Sequence, residues 1–289
     1  MSAIFNYTHN NHYKWGFGDE WYNSPDPAKQ FKIQFGYVTR EVKSFREECI
    51  IAARLIAEQA TKPIIIGLSG GSDSQVACLS FIKAGYKIST VIVKMIVNGQ
   101  IINEHDIKTA YNFCKNHNIG YIDYVLDLDL YYKGTGAEYA ERYGLGAIET
   151  ITQCAVMDFV CKDHCYIMAG GDIPIQPCIA KQHNHLPTMP DTRGHITVPA
   201  FTQSTPPVMQ HMISMGYEGT SKFYLYTPEL IVSYLTHPVT TDFLNSSTEI
   251  LRPFTGWMPE ATLWWRCFHY LFKPILTAKE WPEATPVRK

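Results

Sequence analysis

The chain has 289 residues, 46% of them hydrophobic, with 27 acidic against 25 basic side chains and a net charge of −2. That is apolar material enough for a full core, as one large α/β domain or a domain with an appendage, while the near-neutral charge excludes a long-range field for nucleic acid or anionic membrane. No apolar run approaches the ~20 residues of a membrane span, and eight cysteines without regular spacing suit free thiols in a reducing cytoplasm.

Residues 1–30 are dense in Tyr, Trp, Asn and His and read as an irregular aromatic arm; no secretion signal is legible there. A helix is expected over 35–60, with Val42, Phe45, Cys49, Ala52 and Ile56 on one face. Ile64 to Leu68 reads as a short buried strand, and Gln75 to Ile82 as a helix packed on one side. A central strand is expected over 88–96, then a helix capped by Asn103 with acids in its first turn, running to about Asn116. A third strand over 121–128, a helix over 147–162 and a fourth strand over 165–169 follow. The last ends in Gly170-Gly171-Asp172. Beyond it, residues 173–205 hold prolines, histidines, Lys181 and Arg193 without periodicity, a length of structureless chain that often forms a lid or binding loop. Helices are expected over 206–215 and 228–235, a strand or extended segment over 222–226, and an aromatic helix over 260–272. Strand and helix alternate, so the fold class is α/β: a parallel five-stranded sheet with helices on both faces, an irregular insertion and a helical C-terminal part. The organisation expected is an arm (1–30), a nucleotide-binding domain (31–172) and a substrate-side region (173–289).

Between the first buried strand and its helix lies Ser69-Gly70-Gly71-Ser72-Asp73-Ser74. Glycines let the backbone bend and a ligand approach closely, hydroxyls donate hydrogen bonds, and the amides of a new helix point at whatever sits there. That composition makes a phosphate cradle; the plain alternative is a Ser/Gly-rich connecting turn. No Lys follows the glycines, so this is not a Walker A loop, and the spacing does not fit a dinucleotide fingerprint. In an open parallel sheet, ligands bind beyond the carboxyl ends of the strands where strand order reverses, which should bring this loop and Gly170-Gly171-Asp172 to one crevice.

Ser-Gly-Gly-Ser-Asp-Ser after an apolar strand resembles the PP-loop of the ATP pyrophosphatases. That superfamily includes asparagine synthetase, NAD synthetase, tRNA-thiolating enzymes, argininosuccinate synthetase and adenylylsulfate reductases. The resemblance implies an enzyme using ATP and Mg²⁺, in which an acceptor attacks the α-phosphate and pyrophosphate leaves. It implies that Ser69, Gly70, Gly71, Ser72, Asp73 and Ser74 hold the pyrophosphate. Asp73 and Asp172 would act as magnesium carboxylates, with Gly170 and Gly171 beside the nucleotide and the adenine against Val93, Lys94 and Met95. Asp73 as a helix-capping residue and Asp172 as a turn residue are the plainer roles. Cationic help would come from Lys181, Arg193, Lys222 or Arg252, for each of which a solvated surface charge is the plainer reading.

Gly170-Gly171-Asp172 with the later aromatic-Pro segment around Pro228 is loosely similar to the synthetase domain of asparagine synthetase, over about residues 63–235. The sequence departs from that family at its start, where Ser stands at position 2 and no glutaminase domain is legible, so the expectation is an amine taken from solution or a partner. Amide-type C–N bond formation on a small-molecule or nucleotide acceptor is the leading expectation. Sulfur transfer through Cys154, Cys161 or Cys165 is the enzymatic alternative, an adenylylsulfate reductase-like enzyme is another, and a non-catalytic nucleotide sensor is a third. A zinc site from Cys178, His183, His185 and His195 fits no standard spacing. The aromatic segments at both ends suit a homodimer or a monomer alike.

Overall fold

Ile64, Ile65 and Ile66 are β-branched and almost fully buried, and they build the short strand at the centre of the molecule. The computed structural model describes residues 13–20, 31–35, 38–143, 148–169, 175–178, 189–190, 196–199, 205–240 and 281–284. The chain opens with β1 (Tyr13–Phe17), β2 (Phe31–Phe35), α1 (Phe45–Gln59), β3 (Ile64–Gly67), α2 (Ser72–Lys83), β4 (Ser89–Val97) and β5 (Gln100–Ile101). It continues through α3 (Glu104–His117), β6 (Gly120–Asp127), α4 (Leu128–Lys133), α5 (Thr135–Tyr143), α6 (Ile148–Val160) and β7 (Cys165–Ile167). The later elements are β8 (Ile175–Cys178), β9 (Met189–Pro190), β10 (Ile196–Pro199), α7 (Thr205–Ser214), β11 (Gly219–Thr220) and α8 (Pro228–Leu235).

The parallel strands lie in the order β11-β7-β3-β4-β6, and β5 adds antiparallel to the end of β4. Counted along the chain from β3 that order is 5-4-1-2-3, so it reverses between β3 and β7. Successive strand side chains point to opposite faces. Ile64 and Ile66 accordingly pack into one core with α1, α2, α3 and α8, while Ile65 packs into a second with α5, α6 and α7. The expected α/β architecture with helices on both faces is therefore what the chain adopts. Among the described residues no helix is long and apolar enough to cross a membrane.

Four expectations need correction. The helix read over 35–60 starts only at Phe45, where Ser44 and Glu47 form a reciprocal capping box. Residues 13–17 of the expected irregular arm are a strand paired antiparallel with Phe31–Phe35. The fifth parallel strand is Gly219–Thr220, and Phe223–Leu225 is a 3₁₀ turn. Gly219 has φ +134°, and a Cβ there would collide with the Tyr166 carbonyl, so only glycine brings this strand against β7. Within the stretch expected to be irregular, β8, β10 and β9 form a three-stranded antiparallel sheet. The expected helix over 260–272 lies outside the described residues.

α6 and α7 are joined by a polar cluster on the second face. His211, fully buried, contacts Asp158 through Nε2 at 2.7 Å and the Tyr143 hydroxyl through Nδ1 at 2.9 Å. Tyr139 and Tyr217 donate to the same carboxylate at 2.5 and 2.9 Å. Burial alone would raise the Asp158 pKa, but these bonds hold the carboxylate below its ordinary range. The cluster fixes α6 against α7, and α6 forms one wall of the site described next.

Candidate active site

β3 pairs one residue beyond its end, Leu68 N–H donating to the Val91 carbonyl at 3.0 Å, and the chain then turns through Ser69–Gly71 into α2. Gly70 sits at φ +80°, and a Cβ there would collide with the Asp106 carbonyl oxygen of α3, so the turn requires glycine twice over. Side chains tie down the loop's carbonyls: Ser74 Oγ donates to Gly71 O at 2.9 Å and Gln75 Nε2 to Gly70 O at 2.8 Å. Ser69 and Ser74 hydroxyls lie 3.2 Å apart, and the Tyr224 hydroxyl donates to Asp73 O at 2.6 Å. The helical ladder of α2 begins with Gln75 N–H to Gly71 O at 3.1 Å, so the first-turn amides of residues 72–74 precede it, while Gly71 N–H donates to Ser69 Oγ at 3.4 Å. The N-cap is Gly71, which has no side chain to bond them. The buried Ser72 hydroxyl has no partner among the described residues. The loop thus presents amide and hydroxyl donors at a positive helix end, with Asp73 in the first turn: the donor set a pyrophosphate needs, and one carboxylate for a divalent cation.

Beside the loop, at the reversal point of the sheet, is a cavity of about 220 Å³. Gly67, Leu68, Ser69 and Ser74 form one side of it, and Val91, Val93 and Met95 of β4 its second wall. Thr152, Gln153 and Val156 of α6, with Tyr166, Met168 and Ala169 at the end of β7, close it from the other direction. Gly67 permits this approach, since a Cβ there would meet the Tyr166 hydroxyl at 2.6 Å. That hydroxyl donates to Gln153 Oε1 at 3.2 Å, which fixes the carboxamide against the cavity wall.

The structure gathers Ser69, Ser74 and Val93 around the cavity, with Gly70, Gly71, Ser72 and Asp73 in the adjoining turn. Lys94 goes elsewhere: between Val93 and Met95 it points to the opposite face, where Nζ pairs with Asp123 at 2.7 Å and lies 5.6 Å from the centre of the Tyr111 ring. The hydrogen bond to Asp123 raises its pKa further, so its charge serves that surface pair. The backbone edge of β4 is also engaged. Asn103 Nδ2 donates to Val93 O at 2.8 Å, and its Oδ1 accepts from Met95 N at 3.0 Å, so the carboxamide makes no cap bond on α3. Gly170, Gly171, Asp172, Lys181, Arg193 and Arg252 lie outside the described residues, as do His183, His185 and His195. Ala169, directly before Gly170, lines the cavity. Sequence reasoning missed Asp106, Thr152, Gln153 and Tyr166, because their approach is set by long-range packing. The isolated Gly67 at a strand end was the one local sign of a bulky neighbour.

Cys154, Cys161 and Cys165 are buried. Burial pushes the Cys154 and Cys165 thiols up to about 12 and Cys161 higher still, against the thiolate form. Cys154 and Cys161 pack in the second hydrophobic core and Cys165 in the first.

No protein-family model matches the chain, and no curated protein does. Solved structures match weakly. An NH3-dependent NAD synthetase from Campylobacter jejuni aligns at 12% identity and TM-score 0.31, over 44% of this chain and 56% of that one. The chain thus spans little more than half of that enzyme's length. An NMN synthetase from Francisella tularensis aligns at 12% identity and TM-score 0.36, over 85% of this chain and 96% of that one. The U34-tRNA thiolase NcsA from Methanococcus maripaludis, solved with its 4Fe–4S cluster, aligns at 12% identity and TM-score 0.37, over 84% and 81%. Scores this low carry no argument about activity, which rests on the loop and the cavity.

Proposed function

We propose that the chain is an ATP-dependent adenylating enzyme that activates a small-molecule or nucleotide acceptor for amide-type C–N bond formation. The observation that carries this reading is the lysine-free donor loop opening onto a cavity at the sheet's reversal point. The cavity is smaller than the ~300–1,000 Å³ that encloses a drug-sized ligand. It suits the nucleoside part of ATP, with the phosphates lying over the loop. Amides and hydroxyls of residues 69–74 hold the β- and γ-phosphates, which leaves the α-phosphate facing the acceptor. The acceptor oxygen forms a bond to that phosphorus, the bond to the β-phosphate oxygen breaks, and its electrons leave with pyrophosphate. Donors aimed at the departing charge, with the helix N-terminus behind them, stabilise that transition state. Magnesium, when bound, would neutralise phosphate charge; Asp73 would hold it, with Asp172 the second carboxylate the resemblance supplies. Amide chemistry is favoured over sulfur transfer because the described thiols near β7 are buried, and burial opposes their thiolate form.

The test is pyrophosphate release from ATP across a panel of carboxylates, amides and nucleotides. Acceptor-dependent release of AMP and pyrophosphate is expected, falling ~10²-fold or more in Asp73→Asn. Tight ATP binding without release on any acceptor would replace the enzyme by a nucleotide sensor.

A further inference from the structure

Asparagine at the start of a helix ordinarily caps it, its side chain accepting from an amide of the first turn. Asn103 has that position on α3 and makes no such bond. Its carboxamide instead bridges β4 across the gap between two neighbours. β3 pairs with β4 as far as Val91, and β5 begins pairing at Ile96. Because Ile96 also faces Asp127 of β6, β5 lies on the β3 side; Ile102 N–H donates to Met95 O at 3.0 Å, which leaves Val93 O and Met95 N on that edge between them. Asn103 donates to Val93 O and accepts from Met95 N there, and all three residues line the cavity.

The polarity of that bridge is specific. An amino donor meets a carbonyl and an adjacent acceptor meets an N–H. Adenine carries the same pair side by side, its exocyclic amino group beside a ring-nitrogen acceptor, whereas guanine puts a carbonyl oxygen where adenine has the amino group. Any adenine nucleotide with its phosphates on the Ser69–Ser74 loop and its base in the cavity meets this edge.

We infer that Asn103 is a latch that occupies the base-reading edge of β4 and is displaced by adenine, swinging back to cap α3. This rests on the nucleotide reading above. The two positions of one carboxamide then couple base binding to α3, which touches the phosphate loop where the Asp106 carbonyl faces Gly70. A latch makes only a fraction of the protein competent and weakens the apparent affinity by that fraction.

The experiment is calorimetric titration with ATP of the wild-type chain, Asn103→Ala and Asn103→Asp. Alanine removes the bridge. Aspartate keeps the capping oxygen but sets a second acceptor against Val93 O, which opens the edge. Both variants should bind ATP about 3- to 10-fold more tightly, the two hydrogen bonds having modest net strength. In the wild-type protein, ATP should shift the Asn103 side-chain amide signals in NMR spectra, independently of either variant's fold. Variants that bind ATP no better than a binding-competent wild type, or unshifted amide signals in ATP-saturated protein, would refute the latch and leave the nucleotide reading standing. Failure of all three proteins to bind ATP would overturn that reading and the latch with it.

Discussion

Replacing Gly70 by alanine isolates the close approach of the Ser69–Ser74 loop to α3. Two effects add at this position. A non-glycine residue at φ +80° is strained by roughly 1–2 kcal/mol. The new methyl would also collide with the Asp106 carbonyl oxygen and stand 3.2 Å from Thr109 Cβ, an overpacking of about 1–3 kcal/mol, because backbone yields less readily than the tip of a side chain. The sum is about 2–5 kcal/mol. Gly85 provides the control: it has φ +90° and nothing within 4 Å of the position a Cβ would take, so Gly85→Ala carries the dihedral strain alone. Both variants lose the same glycine freedom in the unfolded chain, so that contribution cancels. Denaturant unfolding of both should place Gly70→Ala about 1–3 kcal/mol below Gly85→Ala. ATP affinity should fall only in the former, because relief of the clash moves the loop. Equal stability of the two variants with equal ATP affinity would refute the claim that the loop is wedged against α3.

Tyr224→Phe removes the buried hydroxyl bonded to Asp73 O at 2.6 Å. A loss of about 1 kcal/mol in chemical denaturation and a raised KM for ATP are expected, and an unchanged KM would show that this anchor does not position the loop. Acid should destabilise the protein in a defined window. Burial would raise the Glu283 pKa, but a bond to its own backbone and the Lys83 and Arg46 charges hold it at about 2; Glu229 is likewise held low by Thr39 and Arg40 against the opposing effect of burial. A carboxylate depressed in the folded state adds stability above its unfolded pKa, about 4.3, and loses it as pH falls toward the folded value. Unfolding midpoints should therefore drop between about pH 4.3 and about pH 2, less so in Glu283→Gln, and a flat profile would contradict this. Cys154→Ser should leave turnover unchanged, and native protein at neutral pH should resist iodoacetamide at Cys154, Cys161 and Cys165; rapid alkylation there would reopen sulfur transfer.

How much of this was legible in the sequence depended on how local the cause was. The strand–loop–helix unit around Ser69 is specified by neighbours: a β-branched run, two glycines and a helical pattern. α8 is legible for the same reason, with Thr227 capping and Pro228 in its first turn. The β1–β2 pair was not, although Phe31, Ile33 and Phe35 alternate as strand residues do, because their partners, from Tyr13 to Phe17, lie across a long intervening stretch of chain. Aromatic residues at 222–226 suggested a strand by propensity, but the sheet took Gly219–Thr220, where a missing Cβ allows contact with Tyr166. Asn103 carries a sound capping signal that the fold diverts to β4. The cavity walls on α6 and β7 come from residues far from the loop in sequence, and no local pattern marks them.

The most direct measurement is a crystal structure with α,β-methylene-ATP and magnesium, in which the bond to be broken is blocked. The β- and γ-phosphates should lie on the amides and hydroxyls of residues 69–74, the base should meet Val93 and Met95, and the α-phosphate should face open space for an acceptor. An analogue bound elsewhere, or seated with its α-phosphate buried in the loop and its γ-phosphate exposed, would contradict adenylation.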